Sequence, residues 1–158
     1  MKRAIPVGVI SDTHGLLRPE AVHALRGSEL IVHAGDVGNP DVLERLRAIA
    51  PTVAVRGNVD TASWAETLLE TEVVDVGGVH LYVLHDISRL DLDPKAAGFA
   101  AVIFGHSHHP SAERRNGVLY LNPGSAGPRR FSLPIALARL EVAAKRVRHE
   151  IIELSLAK

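Results

Sequence analysis

Five short apolar segments of the chain each end in a cluster of polar side chains that can bind metal ions. The clusters read SDTHG, HAGDVG, RGNVD, LHD and GHSHH, and they begin at residues 11, 33, 56, 84 and 105. In open α/β sheets, ligands gather outside the carboxyl ends of the strands. A fold that brings these five ends to one edge would place carboxylates, an amide and several imidazoles in one pocket.

The first third of the chain alternates between strand and helix patterns. Apolar runs predict strands over 5–10, 30–34 and 53–55, and the spacing between them predicts helices over 20–26 and 42–50. Pro19 and Gly27 are expected to bound the first helix, and Asp41 is a candidate N-cap for the second. This alternation predicts a parallel βαβ sheet.

Strand signals dominate the middle of the chain. Two β-rich runs, 71–76 and 79–84, flank Gly77-Gly78 and indicate a hairpin, and further strands are predicted over 101–104 and 118–121. The segment 133–154 is ambiguous, because its apolar spacing fits a helix and its sequence also fits two strands around residues 143–145. The pattern alone favours the helix.

Composition narrows the possible chemistry. The 158 residues include 18 Lys+Arg and 18 Asp+Glu, so no basic excess supports an extended nucleic-acid surface. Cysteine is absent, so any metal must be held by nitrogen and oxygen ligands. No apolar run approaches the roughly 20 residues of a membrane span, and the N-terminus lacks signal-peptide features. We therefore expect a single cytoplasmic domain over residues 1–158 with no membrane partner.

Each polar cluster, taken alone, can be explained by an ordinary structural role. A lone Gly-Asp or Gly-Asn is usually a turn, and a single His after a strand is usually exposed or hydrogen-bonded. Burying all of these groups without partners would be costly, and divalent ions give a simpler account. Imidazole and carboxylate ligands without thiolate suit Mn, Fe, Zn, Ni or Co, and a carboxylate can bridge two ions that clamp a phosphoryl group.

Taken together and in this order, SDTHG, GDV, GNVD, the strand-ending His85 and GHSH resemble the calcineurin-like metallophosphoesterases. The NPGS block at 122–125 narrows the resemblance to the small bacterial and archaeal phosphodiesterases of that superfamily, the YfcE-like group. The resemblance implies an α/β fold, a four-layer α/β/β/α sandwich of two mixed β-sheets. It also implies strands over 135–142 and 146–154 in place of a C-terminal helix.

The resemblance further implies a dinuclear metal site. One divalent ion would be held by Asp12, His14, Asp36 and His108, and the other by Asp36, Asn58, His85 and His106. These seven residues would act in catalysis through a metal-bridging hydroxide, without a separate general acid. The implied cofactors are two divalent ions per chain, with Mn favoured and Ni, Fe, Zn or Co as alternatives.

Several positions depart from the family or have no assigned role. Larger protein phosphatases of the superfamily carry a general-acid His where this chain has Val59, so we expect diesters and activated leaving groups to be the better substrates. Asp86 stands where the family often has Gly, and Asp60 and His33 are expected to support the site without binding metal. The roles of Asp86, His109, Arg56, Arg129 and Arg130 stay open.

Three functions remain open from the sequence. The first is a metal-dependent phosphodiesterase acting on a small phosphoester. The second is a phosphomonoesterase or nucleotide phosphatase of the same superfamily, and the third is a non-catalytic scaffold like the retromer subunit that shares this fold. All seven expected ligand positions are filled, which favours catalysis. A homo-oligomer is also possible.

Overall fold

The computed structural model describes residues 3–156, which form two mixed five-stranded sheets. The first sheet has the order β10-β9-β1-β2-β3 and consists of β1 (Ile5–Ile10), β2 (Leu30–His33), β3 (Thr52–Ala54), β9 (Ala136–Ala143) and β10 (Arg146–Glu153). Strands β1, β2 and β3 are parallel, and β9 and β10 extend the sheet in antiparallel pairings.

The second sheet has the order β4-β5-β6-β8-β7. Its strands are β4 (Thr71–Val76), β5 (Val79–Leu84), β6 (Phe99–Ile103), β7 (Ser111–Arg115) and β8 (Val118–Asn122). The three inner strands β5, β6 and β8 are parallel, and the outer strands pair antiparallel with them. The hairpin predicted at Gly77-Gly78 is present with the expected strand bounds, and both glycines have the positive φ that a two-residue hairpin turn needs.

The main core lies between the two sheets. Aliphatic side chains of β1 and β2, such as Val9 and Val32, pack in one cluster with Leu81, Val83 and Ile103 of the second sheet. Strands that are buried on both faces read as continuous apolar runs, and this explains why β1 and β2 were recognisable in the sequence.

Helices α1 (Pro19–Leu25) and α2 (Pro40–Arg47) cover the outer face of the first sheet. The outer face of the second sheet carries a smaller apolar cluster around Tyr82 and Leu84, covered by the segment 87–92, which begins with the 3-10 turn Ile87–Arg89. The predicted sandwich of two mixed sheets is confirmed, although the layer over the second sheet has no α-helix among residues 3–156. No helix in this range is long and apolar enough to cross a membrane.

The N-cap of α2 differs from the prediction. Asn39, and not Asp41, precedes the helix, and its side chain accepts a hydrogen bond from the backbone N–H of Asp41 at 2.9 Å. Pro40 occupies the first helical position, where its missing N–H costs nothing. The helix therefore begins two residues earlier than the apolar spacing predicted.

The helix favoured by pattern for the C-terminal segment is wrong, and the two strands implied by the resemblance are present. Strand β9 lies between β1 and β10; its first three residues, 136–138, are all apolar and buried, and alternation of polar and apolar residues begins only at Arg139. The β9–β10 turn places Ala144 and Lys145 at φ 51° and 61° without Gly or Asn. The usual signal of a hairpin is thus missing from the sequence.

Strand β7 was not predicted from the sequence. All of its residues are exposed, and within residues 3–156 it pairs with β8 alone, across the Asn116-Gly117 turn. An exposed edge strand has no buried face, so its sequence carries no apolar periodicity. It contributes none of the proposed ligands.

Candidate active site

The seven proposed ligands lie in loops that follow five parallel strands of the two sheets. Asp12 and His14 follow β1, Asp36 follows β2 and Asn58 follows β3 in the first sheet. His85 directly follows β5, while His106 and His108 follow β6 in the second sheet. The carboxyl ends of the strands of both sheets therefore supply the site.

Two buried carboxylates lie at the centre of this cluster. Asp36 Oδ2 is 3.2 Å from His85 Nε2 and 3.6 Å from His14 Nε2. Asp12 Oδ1 is 3.3 Å from His108 Nε2, 3.8 Å from His14 Nε2 and 3.9 Å from His85 Nε2. These five residues form two groups that share Asp12, namely Asp12–His14–His108 and Asp12–Asp36–His85. Within each group, the ligand atoms lie within 4.8 Å of one another.

The other two proposed ligands lie at the rim. The His106 ring packs edge-on against the His85 ring with centroids 5.2 Å apart, and its backbone N–H donates to Asp12 Oδ2 at 3.1 Å. Asn58 is exposed and lines a cleft together with His85. His109, the third histidine of GHSHH, is also exposed, and its Nδ1 lies 3.1 Å from the Pro110 carbonyl oxygen.

The ligand loops hold an uncommon backbone conformation. Five of the nine non-glycine residues with positive φ in the described range are proposed ligands: Asp12, His14, Asp36, His106 and His108, with φ between 47° and 74°. Such conformations cost of order 1–3 kcal/mol each and persist only where the surrounding structure imposes them. They turn successive side chains of short loops toward a common centre.

Glycines make room for this packing. A Cβ atom on Gly57 would lie 2.1 Å from the Asp36 backbone nitrogen, and one on Gly35 would lie 2.7 Å from His85 Nδ1. Gly35 also has φ 102°, whereas Gly57 is needed for space alone. These two glycines beside the ligands thus allow close approach between loops.

Hydrogen bonds hold the ligand loops in register. Asp60 accepts from the backbone N–H groups of Val37, Gly38 and Gly57 at 2.9–3.1 Å, so it connects the loop after β2 with the loop after β3. Asn122 of the NPGS block donates to the Gly105 carbonyl at 3.1 Å. Asp60 therefore has the supporting position expected from the sequence.

His33 supports the site from inside the sheet. The Gly35 N–H donates to His33 Nδ1 at 3.1 Å, His33 Nε2 lies 3.0 Å from Thr13 Oγ1, and that hydroxyl donates to the Val37 carbonyl at 2.9 Å. This chain of bonds is complete only when His33 is neutral with its proton on Nε2. Burial favours the same state and lowers the pKa of His33 to about 4.

The orientation of His85 leaves one nitrogen facing the carboxylates. Its Nδ1 lies 2.7 Å from the Ala34 carbonyl oxygen, which can only accept, so Nδ1 carries the proton that it donates. Nε2 then faces Asp36 and Asp12. A histidine held in this way presents Nε2 for a metal ion, as ligating histidines commonly do.

Charge is concentrated at Asp36 and His85. Burial raises the pKa of Asp36, but the contact with His85 and the hydrogen bond from the Val59 N–H together hold that pKa well below its usual value. Burial lowers the pKa of His85, yet the Asp36 and Asp12 carboxylates outweigh it and leave the pKa raised. The ionised form of each group is thus stabilised by the opposite charge of the other.

The donor set fits divalent cations. Asp12 Oδ1 and His85 Nε2 are buried and have no hydrogen-bond partner within the described part of the chain. The Nε2 atoms of His14 and His108 face each other at 3.3 Å, and a cation accepting both lone pairs would resolve that contact. Imidazole nitrogens and carboxylate oxygens without thiolates are the ligands that Mn, Fe, Zn, Ni and Co accept.

Two further contacts surround the ligands, one from Ser11, which the sequence did not single out, and one from Asp86, whose role the sequence left open. Ser11 Oγ donates to Asp12 Oδ2 at 2.6 Å and so helps to orient that carboxylate. Asp86 accepts from the N–H and Oγ of Ser88 through Oδ1, and its Oδ2 is 4.0 Å from His106 Nε2. The Ser88 hydroxyl bond lowers the pKa of Asp86. Asp86 therefore lies beside a proposed ligand, and no local sequence signal indicates either contact.

Two mixed sheets with an Asp/His cluster at their strand ends fit a metal-dependent phosphoric ester hydrolase, and the similarity to known proteins shows this class. Residues 5–145 match the family model of the calcineurin-like phosphoesterase superfamily domain, and the chain belongs to this superfamily. It is 38% identical to a probable metallophosphoesterase of Methanothermobacter thermautotrophicus, over 92% of this chain and 91% of that protein. It is 29% identical to the phosphodiesterase YfcE of Escherichia coli, over 83% and 84% of the two chains.

The fold is also shared with a solved structure of low sequence identity. Vacuolar protein sorting 29 of Cryptosporidium parvum superposes with a TM-score of 0.76 over 97% of this chain and 99% of that chain, at 18% identity. At this identity the likeness extends to the fold alone. The family and the enzyme class predicted from the sequence are confirmed by the family match and the sequence relatives.

Proposed function

We propose that this protein is a dinuclear metal-dependent phosphodiesterase. Asp36 Oδ2 carries the proposal, because it lies between imidazoles from both sheets, 3.6 Å from His14 Nε2 and 3.2 Å from His85 Nε2. A carboxylate in this position can bridge two cations. Asp12, His14 and His108 would complete one site, and Asn58, His85 and His106 the other. Mn is the metal to test first.

Divalent ions held by these residues would supply Lewis acidity toward the phosphate oxygens and would lower the pKa of a bound water molecule. The protein contributes geometry. Asp36 stays ionised at neutral pH because its pKa is held low, and the Ala34 carbonyl fixes the tautomer of His85. The loops with positive φ hold the carboxylate and imidazole ligands in position in the absence of substrate. Little reorganisation of these side chains is therefore needed during the reaction.

The preference for diesters rests on Val59. This residue follows Asn58, is 48% exposed and offers no proton to a leaving group. Esters whose leaving groups depart without protonation should therefore react faster than unactivated monoesters. The short loop is held by the Val59 N–H, which donates to Asp36 Oδ1 at 3.0 Å.

We also propose that residues 1–158 act as one catalytic unit in the cytoplasm. Ligands from the first sheet and from the second sheet lie within 4 Å of each other, as between Asp36 and His85. Neither sheet alone carries a complete ligand set. The proposed substrate is a small phosphoester. The proposal also allows for a homo-oligomer.

The test is a metal-reconstitution assay. Metal-stripped protein is assayed with bis(p-nitrophenyl) phosphate and with p-nitrophenyl phosphate after addition of Mn, Ni, Co, Zn or Mg. An Asp36→Asn variant is the control, because it keeps the shape of the side chain and removes the bridging charge. We expect metal-dependent diester hydrolysis that exceeds monoester hydrolysis and that is lost in the variant.

Other outcomes change the assignment. Faster monoester hydrolysis would indicate a phosphomonoesterase with a proton donor elsewhere in the site. Folded protein that is inactive with every metal would refute catalysis and favour a scaffold role. Activity of Asp36→Asn equal to that of the parent protein would refute the proposed bridging role of Asp36.

A further inference from the structure

Ser11 carries a buried hydroxyl group that points at a proposed metal ligand. The residue follows strand β1 directly and is fully buried. Its Oγ donates to Asp12 Oδ2 at 2.6 Å, whereas the Gly35 carbonyl oxygen, the other acceptor near it within residues 3–156, is 3.5 Å away. Burying a hydroxyl costs free energy unless it is hydrogen-bonded. The Asp12 carboxylate is therefore the group that satisfies serine at this position.

The two oxygens of the Asp12 carboxylate have different surroundings. Oδ2 accepts from Ser11 Oγ and also from the His106 backbone N–H at 3.1 Å. Oδ1 is buried and has no hydrogen-bond partner in the described part of the chain. It lies 3.3–3.9 Å from the Nε2 atoms of three proposed ligands, His14, His85 and His108. Hydrogen-bond donors of the protein thus occupy one oxygen, and the other is left to face the proposed cation sites.

Gly105 makes room for the contact between Ser11 and Asp12. This glycine does not have a positive φ, so its backbone conformation is open to other residues. A Cβ atom on it would lie 2.1 Å from Ser11 Oγ and 2.6 Å from Asp12 Oδ2. Any side chain at position 105 would therefore displace the hydroxyl or the carboxylate. The packing of the loop after β6 is thus matched to this one contact.

We propose that Ser11 is a positioning residue that keeps Asp12 a metal ligand through one oxygen. This inference rests on the proposed function, because it concerns the same metal site. Asp12 could bind an ion through both oxygens only if Oδ2 gave up its hydrogen bonds from Ser11 and His106. A carboxylate bound through one oxygen takes up one coordination position of an ion. A further position then stays open for water or a phosphate oxygen, as catalytic metal sites require.

The variant Ser11→Ala tests this role, because it removes the hydroxyl and leaves every proposed ligand in place. Titration calorimetry of metal-free protein with Mn²⁺ measures affinity without turnover. Losing a partner that orients a metal ligand typically costs 10- to 100-fold in affinity, and we expect a loss of at least about tenfold. Co²⁺ added in place of Mn²⁺ reports on coordination number. We expect its visible absorbance to fall in the variant, because Asp12 can then bind through both oxygens.

Ser125→Ala is the matched control. Ser125 is also buried, and its Oγ also donates to Asp12, but to the backbone carbonyl oxygen, at 2.9 Å. The control therefore removes the same kind of hydroxyl from the same residue without changing the contacts of the carboxylate. We expect it to keep the Co²⁺ spectrum of the parent protein and its affinity for Mn²⁺. The Tm of each metal-free protein shows how far a substitution acts on stability alone.

A second measurement needs no variant. In a crystal structure of the parent protein loaded with Mn²⁺, we expect Asp12 to bind manganese through Oδ1 alone, while Oδ2 keeps its hydrogen bond from Ser11. Binding of one ion through both oxygens of Asp12 would overturn the inference. This holds even where Ser11→Ala fails to fold.

The outcomes separate this inference from the proposed function. Equal Mn²⁺ affinity and equal Co²⁺ spectra in the parent protein and Ser11→Ala would leave the metal site standing and overturn the role of Ser11. Equal losses of affinity in Ser11→Ala and Ser125→Ala would also overturn it, because the carboxylate contact would then have no special effect. A folded parent protein that binds no divalent ion would refute the proposed function itself.

Discussion

At the scale of single residues, the site is built from residues whose left-handed backbone conformation could not be predicted from the sequence. Asp12, His14 and Asp36 have φ values that glycine would adopt more easily. Glycine cannot replace them, because the proposed ligand set needs their carboxylate and imidazole groups. The conformational free energy of the positive φ values is therefore a cost to the stability of the folded state. His33 and Asp60 lie behind these ligands and satisfy the groups that hold the loops in place.

Replacing Val59 by His tests the missing proton donor. The side chain is half exposed beside Asn58, so an imidazole can be accommodated without burial. Protonation of the leaving oxygen contributes typically about 100-fold or more, and we expect Val59→His to raise the monoester-to-diester activity ratio at least tenfold. Val59→Gln, which cannot titrate, is the control. An unchanged leaving-group preference in Val59→His would contradict the interpretation of this position.

His33 should make stability depend on pH. Below pH 6.5 the unfolded chain binds a proton at His33 that the folded protein accepts only near pH 4. Unfolding therefore takes up a proton in this window, and stability falls as the pH decreases from about 6.5 to about 4. The full effect is about 3 kcal/mol.

The measurement is urea unfolding of metal-free protein between pH 4 and pH 7, compared with a His33→Gln variant. The variant retains an acceptor for the Gly35 N–H but does not titrate. Its free energy of unfolding should fall less steeply toward acid pH than that of the parent protein. Identical slopes in the two proteins would show that His33 does not cause the pH dependence.

At the scale of elements, turns and strand ends decide the architecture. The β4–β5 hairpin uses Gly77-Gly78, whereas the β9–β10 hairpin holds Ala144 and Lys145 in the same left-handed region. The second turn is imposed by pairing: β9 and β10 are matched over eight residue pairs. Long-range pairing therefore overrides a poor local preference at this turn.

This conflict gives a prediction about the β9–β10 turn. Ala144→Asn/Lys145→Gly introduces the residue pair that a two-residue hairpin turn prefers. We expect the free energy of unfolding to rise by about 1 kcal/mol and Tm by about 3 °C. Ala144→Val, which adds a β-branched side chain at the same φ, should lower Tm. Calorimetry that finds the reverse order would contradict the left-handed turn.

At the scale of the whole molecule, the site lies where the two sheets meet. First-sheet loops carry both carboxylates, and second-sheet loops carry His85, His106 and His108. A cation bound between them connects the two layers of the sandwich. Metal binding and global stability should consequently be coupled.

Metal addition should therefore raise Tm. At a free Mn²⁺ concentration about 100-fold above its Kd, linkage stabilises the folded state by about 2.7 kcal/mol, which corresponds to roughly 5–10 °C for a chain of this size. Differential scanning fluorimetry of stripped protein with and without Mn²⁺ measures the shift. Asp36→Asn should abolish it, and Asp41→Asn on the exposed surface of α2 should retain it. A full shift in Asp36→Asn would exclude a metal site centred on that residue.

Local patterns predicted the parts of the fold that are encoded locally. Buried strands, the glycine hairpin and the two helices have short-range signals, and their bounds were off by no more than three residues. The helix favoured for the C-terminal segment failed because β9 begins with three buried apolar residues and alternates only over 139–143, which is too short a stretch to outweigh the helical spacing. The exposed strand β7 was missed because it has no apolar face at all.

The sequence by itself determined the kinds and order of the polar groups at the strand ends, and with them the family. Only the tertiary structure decided that Asp36 lies between imidazoles of two sheets, that His85 presents Nε2 and that a cleft lined in part by Asn58 and His85 opens beside the site. The physical reason is the separation along the chain between the residues that make contact. Periodicity and turn chemistry record contacts a few residues apart, whereas the site and its cleft depend on loops up to about a hundred residues apart that meet only when the sheets pack.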